Sequence, residues 1–573
     1  MGEGSGRVNR ASEANSSVNP SIQRRACAIA ATLRPRMVPG IEILAAACTD
    51  KSYCAYLEND GWLYCRRADC QTDQVGGWGL KRRRMGAKAQ SVNDWSRVPA
   101  PTVLGRVKGL QVLAAFALDP VGASGRHLMP LGQAVELTRL GTSKRRILFM
   151  WGPEYNRQFL LRSKTMRTSG LWPLKSPPGS AQRSLSYHPL KAYGPEQATF
   201  YDLIDPFFNR SAIEQRSNDI KSMIVDEIER WQPAIHDFYE LARRCMERVA
   251  FTLLFGVDES SRFNELSDRL HEYHRANWAY PAIAFPINLP GTPYHAGMRQ
   301  AKALQRYLYS WMDEAEGNGE SKFVFQRLAD GRRADGCPFA RENKAGLVAM
   351  LSWLAYETTA TALSWAVFLL AQHPAILADL VDELSAHDSA HDGDADRLLS
   401  LPLLDAVVKE AMRLIAPVPL ISFRMAHAAA EEEEIAGQRF APGSRFYVLP
   451  HLTHRLPDIY PAPDRFRPGR WFSIKPTAYE YLPFGGGQRR CPGFWLAMTN
   501  LKFALAALLE RFRPVVPDRA RIDRMYAVVT MPKNGLPLEL VPRDRSIASR
   551  PSQSASGSIF DLFTPEPNRP VRH

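Results

Sequence analysis

Residues Phe484-Gly485-Gly486-Gly487-Gln488-Arg489-Arg490-Cys491-Pro492-Gly493 decide how the rest of this 573-residue chain is read. Three consecutive glycines fit neither a helix nor a strand interior. They mark backbone that turns tightly or lets a flat surface come very close. Two arginines precede Cys491, and a helical run opens directly after it at Phe494-Trp495-Leu496-Ala497-Met498, continuing towards Arg511. A thiol ahead of a helix N-terminus and beside cations is expected to ionise, and the thiolate is the metal-binding form. Pro492 near the first turn suits that start. A glycine turn carrying a buried cysteine is the plainer meaning of each piece taken alone.

Together the pieces match F-x-x-G-x-R-x-C-x-G at every fixed position, through Phe484, Gly487, Arg489, Cys491 and Gly493. On these residues the chain resembles the cytochrome P-450 superfamily of haem-thiolate monooxygenases. The resemblance implies a mainly α fold with a small β region, and haem b held between a long distal helix and the cysteine loop. It makes Cys491 the proximal iron ligand, with thiolate donation favouring O–O cleavage.

Working outward, Lys344 to Gln372 forms the longest helical pattern, closed by His373-Pro374. Leu347, Leu351, Leu354, Thr358 and Thr361 fall on one stripe, and Glu357 adjoins it. An acid buried in so apolar a helix needs a reason. The alternative is a solvent-edge Glu357 with Thr358 bonded back to the carbonyl four residues earlier. Ala355-Tyr356-Glu357-Thr358-Thr359 resembles the family's acid–alcohol segment, which makes Glu357 and Thr358 the catalytic pair, general-acid chemistry fed through water. Leu354 and Ala355 depart from the family's small residue and glycine, so the groove is expected to be narrower or differently shaped.

Glu410 and Arg413, spaced i, i+3, share a helix face that ends before Pro417. Alone they read as a surface pair worth under about 1 kcal/mol. They resemble the family's E-x-x-R motif, completed by Arg465 of Pro463-Asp464-Arg465-Phe466, ahead of Pro468, Arg470 and Trp471. By that resemblance Glu410, Arg413 and Arg465 lock the haem-side core, a role suited to arginine forks. Arg424 stands where the family places a haem-propionate partner, with Arg489 as the second cation. The family's W-x-x-x-R pair does not occur between residues 130 and 230. Gln197 and Tyr201 occupy its positions, leaving a tyrosine, a histidine or water as the third support.

Alternating apolar residues around Ala134–Leu140 and 146–151 predict a hairpin, Phe446-Tyr447-Val448-Leu449 a strand, and Val528 to Gly535 a closing hairpin. Residues 1–97 read as a largely disordered extension, 98–543 as the haem-thiolate domain, and 544–573, rich in Ser, Arg and Pro, as a disordered tail. The basic run Lys81-Arg82-Arg83-Arg84 reads as a solvated face. Eight cysteines form no C-x-x-C pair and are treated as incidental thiols apart from Cys491.

Hydrophobic content of 45% and charged content of 23% are those of a globular protein. Of the net charge of +14, residues 1–98 supply an excess of six from 15 Lys/Arg against 9 Asp/Glu. The balance suits an acidic partner protein or a membrane surface, and no nucleic-acid motif accompanies it. The stretch Ala26 to Ala47 is broken by Arg34, Pro35, Arg36 and Pro39, so no transmembrane anchor or signal peptide is read there. A soluble, cytoplasmic, bacterial-type enzyme is the expectation, with peripheral membrane attachment left open. The expected function is insertion of one oxygen atom from O2 into a small apolar organic substrate. Neither terminal extension is large enough for a flavin reductase, and no G-x-G-x-x-G unit follows a strand. Electrons are therefore expected from a separate ferredoxin or flavodoxin with its reductase and NAD(P)H. A peroxide-driven or electron-independent haem-thiolate enzyme (peroxygenase, isomerase, dehydratase) and a non-enzymatic haem sensor stay open as alternatives.

Overall fold

A computed structural model describes residues 98–137, 146–161, 166–168, 176–186, 195–257, 261–277, 282, 285–315, 339–388, 395–425, 433–487, 490–543 and 554–565, together with the backbone of 47–50, 53–57 and 63–67. Arg489 and the run Lys81–Arg84 lie outside the described residues, and of Gln197 and Arg424 only the backbone is described. The chain divides into two units, residues 1–86 and 87–573. In the first, β1 (Ala47–Asp50), β2 (Tyr53–Leu57) and β3 (Leu63–Arg67) make an antiparallel sheet in that order. These strands lie within the stretch expected to be largely disordered.

The second unit is mainly helical with small sheets, as the motifs imply. Its largest sheet has six strands in the order β4-β5-β6-β12-β9-β7. Those strands are β4 (Thr102–Leu104), β5 (Ala134–Leu137), β6 (Ile147–Met150), β7 (Met166–Thr168), β9 (Ile421–Met425) and β12 (Arg445–Val448). The predicted hairpin is the β5–β6 pair, with Ala134 opposite Met150. Smaller pairings join β10 (Glu433–Ile435) to β11 (Gln438–Phe440) and β14 (Arg524–Ala527) to β15 (Val529–Pro532), while β16 (Pro537–Pro542) lies between β13 (Phe512–Val515) and β8 (Ile235–Asp237).

The longer helices are α1 (Arg106–Leu118), α2 (Pro195–Phe208), α3 (Ser217–Glu229), α4 (Phe238–Phe255), α5 (Ser261–Asn277), α6 (Pro293–Ala315), α7 (Arg341–Gln372), α8 (Pro374–Asp388), α9 (Pro402–Leu414) and α10 (Phe494–Arg511). α7 is the axis of the core. At 32 residues it spans roughly 48 Å. It is apolar on nearly every side because other elements surround it, with α4 its most extensive partner. Pro374 cannot continue its hydrogen-bond ladder, so the helix stops at His373. Among the described residues α7 is the one helix long and apolar enough to cross a membrane, and 83% of its apolar window is buried inside the protein. That burial marks a core helix.

The reading of 544–573 as a disordered tail is corrected for residues 554–565. Ile559, Leu562 and Phe563 are buried in the same core as α7, and the Phe563 ring lies 5.9 Å from that of Phe368. Arg455 donates to the Leu562 carbonyl at 2.7 Å, and Thr564 N–H to the Asp464 carbonyl at 2.7 Å. The surrounding Ser and Pro masked a short apolar cluster that finds its partners far away in sequence. Gly557, at φ +122°, makes the turn possible, since a Cβ there would lie 2.2 Å from the Ile522 carbonyl oxygen. Phe563→Ala is therefore expected to cost about 3 kcal/mol, measured as a shift in the urea midpoint. An unchanged midpoint would mean the segment does not belong to the core.

Candidate active site

The loop before α10 and the middle of α7 line one apolar cavity of about 280 Å³. From α7 come Leu347, Met350, Leu351, Leu354, Ala355, Thr358, Thr359 and Ala362; from the loop and α10 come Phe484, Gly485, Gly486, Cys491, Pro492, Gly493, Leu496 and Ala497. Tyr201, Ile204 and Phe208 of α2 and Val418 and Ile421 complete much of the wall. Among the described lining residues none carries a charged side chain.

Cys491 is fixed from both sides. Its N–H donates to the Phe484 carbonyl at 2.9 Å, closing the loop, and the Phe484 and Phe494 rings meet edge-on at 4.9 Å. Gly485 and Gly487 adopt φ of +67° and +64°. A Cβ on Gly487 would come within 2.7 Å of the Leu160 carbonyl oxygen, so the loop lies tight against its neighbour only because glycine is there. Gly493 leaves the sulfur uncovered, since a Cβ would sit 3.7 Å from Sγ.

Cys491 is solvent-accessible and lines this cavity. Burial pushes the Cys491 thiol up, and the Gly493 N–H and Arg490 oppose that without overcoming it. Among the described groups around the thiol, desolvation is the larger effect. A metal cation bound beside the sulfur would favour the negative charge. Among the described residues no group of three or more His, Cys, Asp or Glu could hold a bare ion. One soft sulfur without companion ligands cannot build a four-coordinate protein site, but it fits a metal that brings its own planar ligand set, as haem does.

On α7, the Thr358 hydroxyl donates to the Leu354 carbonyl at 3.0 Å while its side chain lines the cavity. Glu357 is buried but is not a lining residue. It accepts a hydrogen bond from the Tyr239 hydroxyl of α4, near the Arg243–Glu247 ion pair. Sequence pattern gave no sign of Tyr239, Arg243 or Glu247, because their link to α7 spans over a hundred residues. Burial raises the Glu357 pKa to about 7, against the opposing effects of Tyr239 and Arg243. Unfolded, the same carboxyl titrates near 4.5, so the native state holds the extra proton and Glu357 withdraws stability as pH rises through that window. The melting temperature of Glu357→Gln relative to wild type should therefore climb between pH 5 and pH 8; a flat or falling difference would contradict the burial.

The E-x-x-R network is present with one substitution of role. Glu410 and Arg413 are fully buried and pair through Nε–Oε2 and Nη2–Oε1 at 2.9 Å each. Glu410 also accepts from Arg470 Nε at 2.9 Å, the Arg467 N–H at 2.9 Å and Trp471 Nε1 at 3.0 Å. The Arg465 side chain is exposed, and only its carbonyl takes part, accepting from Arg413 at 3.2 Å and Arg470 at 3.3 Å. The reading of Arg465 is corrected to Arg470, which sits five residues on in a 3₁₀ turn that aims it inward. Arg470→Ala leaves a buried carboxylate short of a cation and is expected to cost on the order of 3 kcal/mol. Arg465→Ala should stay within about 0.5 kcal/mol of wild type, and equal losses in the two denaturation curves would contradict this assignment.

Comparison with known proteins agrees with the geometry. The cytochrome P-450 family profile matches residues 140–538. Abscisic acid 8'-hydroxylase 1 of Arabidopsis thaliana is 27% identical over 371 residues, which cover 63% of this chain and 76% of the plant protein. Cyclooctatin synthase of Streptomyces melanosporofaciens is 39% identical over 197 residues, 33% of this chain and 40% of that protein. The solved structure of retinoic acid-bound cyanobacterial CYP120A1 aligns with a TM-score of 0.64 at 20% identity, covering 78% of this chain and 99% of that one, so the fold is shared. A single sulfur facing a long buried helix across an apolar cavity, and a family match over most of the chain, lead to one conclusion: this chain belongs to the cytochrome P-450 family, haem-dependent monooxygenases.

Proposed function

We propose that the enzyme inserts one oxygen atom into an uncharged, apolar organic molecule bound beside α7, with Cys491 as the residue that would hold the haem iron. The observation that carries this reading is that, among the described lining residues, one cavity brings together a single thiol and a wall without charged side chains. Bound haem supplies the iron whose thiolate ligation favours O–O cleavage. Phe484 and Gly487 shape the ligand loop, Gly493 clears the face of the sulfur, and Arg424 and Arg489 serve as propionate partners, with Tyr201 lining the same cavity.

Apolar walls hold a substrate by area, about 2.5 kcal/mol for each 100 Å² of apolar surface removed from water. A carboxylate entering beside Leu351 and Val418 would lose its hydration with no described lining cation to replace it. Each turnover consumes O2, two electrons and two protons, leaving one oxygen in the product and one in water. The electrons come from an external donor, for which we propose a ferredoxin or flavodoxin with its reductase and NAD(P)H. Thr358 presents its hydroxyl to the cavity, and Glu357, one residue before it, is the acid that replenishes protons.

A peroxide-driven reaction is the second reading. It is favoured by the resting geometry, in which Glu357 turns to Tyr239 and the Thr358 hydroxyl is held by Leu354. The test is reconstitution with ferredoxin, ferredoxin reductase and NADPH under ¹⁸O₂, using neutral apolar compounds that convert the haem to high spin. One labelled oxygen in the product supports the reading. Turnover with hydrogen peroxide but none with the reductase system overturns it in favour of the second.

A further inference from the structure

Tyr239 stands in the first turn of α4, and its hydroxyl donates to Glu357 in the buried seam between α4 and α7. Tyr239, Arg243 and Glu247 recur at i, i+4 and i+8, so one face of α4 lays a polar stripe against an otherwise apolar helix. Arg243 pairs with Glu247 and donates through Nε to Glu240 Oε2 at 2.9 Å. The second oxygen of Glu247 accepts from Ser267 Oγ of α5 at 2.8 Å. The groups acting on Glu357 are Tyr239, Glu240, Arg243 and Glu247 of α4, with Tyr356 beside it on α7 and His271 of α5 close to Arg243 and Glu240. The Glu240 side chain, 43% exposed, brings the outer end of this cluster to solvent.

We propose that Tyr239 is a positioning residue of the proton supply: its hydroxyl docks Glu357 in the α4–α7 seam, beside but not within the cavity, and sets the pH at which that acid yields its proton. The proposal rests on the reading of Glu357 as the proton donor. An O–H group donating to a carboxylate favours the ionised form, so Tyr239 works against burial and makes the proton easier to release. Arg243 acts the same way by charge alone, because a guanidinium does not deprotonate in a protein and cannot relay the proton itself. Among the described residues, neither Tyr239 nor Arg243 lines the cavity. Control of the donor therefore lies on the α4 side of α7, away from the substrate.

The test is an infrared pH titration of the haem-loaded enzyme, in which the protonated-carboxyl band missing from Glu357→Gln reports Glu357. In Tyr239→Phe its midpoint should rise by about one pH unit, the usual scale of a hydrogen bond to an ionised group. Tyr239→Gln, which restores a donor, should bring the midpoint back towards wild type, and this rescue separates positioning from packing. The carbon monoxide spectrum of each variant verifies that haem ligation is intact. Peroxide release driven by ferredoxin, its reductase and NADPH, without added substrate, provides the parallel activity profile. An unshifted infrared midpoint in Tyr239→Phe overturns the proposal alone. A wild-type peroxide profile in Glu357→Gln overturns the donor reading and the proposal with it.

Discussion

Desolvation works against a negative charge on the Cys491 sulfur, and that constraint shapes the loop around it. Among the described residues the Gly493 N–H and Arg490 oppose that effect without overcoming it. A metal cation bound at the sulfur would favour the thiolate, so ligand and cofactor would support each other. Glycines let the loop approach its neighbours closely. Gly493 leaves the sulfur open, Gly487 lets the loop press against Leu160, and the Phe484–Phe494 contact fixes the turn that aims Sγ into the cavity.

Glu410 accepts five hydrogen bonds, two from Arg413 and one each from Arg470, Arg467 and Trp471. A buried ion pair gains little over apolar packing when complete, yet losing one partner is costly. The network therefore acts less as a source of net stability than as a device that admits one arrangement of α9 and the following loops. The distal side uses the same chemistry more loosely. Arg243 and Glu247 pair inside α4, and Glu357 sits beside them with a raised pKa, neutral or charged according to pH.

What could be read from the sequence was what depends on short spacing. The Cys491 loop, the Glu410–Arg413 pair and the acid–alcohol segment on α7 are each contained within ten residues, and helical period or glycine chemistry gives their local form. Arg470 was obscured because it and Arg465 lie in irregular backbone, where no period says which side chain turns inward. Tyr239 was invisible because a single tyrosine 118 residues from Glu357 carries no pattern. Ile559 and Phe563 were hidden by the polar residues around them. In each case the deciding fact is a partner supplied by tertiary packing.

Ligation of haem iron by Cys491 is the claim on which the others depend, and the carbon monoxide difference spectrum of the reduced protein tests it most directly. The wild-type enzyme should show the long-wavelength Soret band of thiolate-ligated haem, and Cys491→Ala should lose it. If Cys491→Ala binds haem to the same extent and gives the wild-type spectrum, the account is contradicted at its centre.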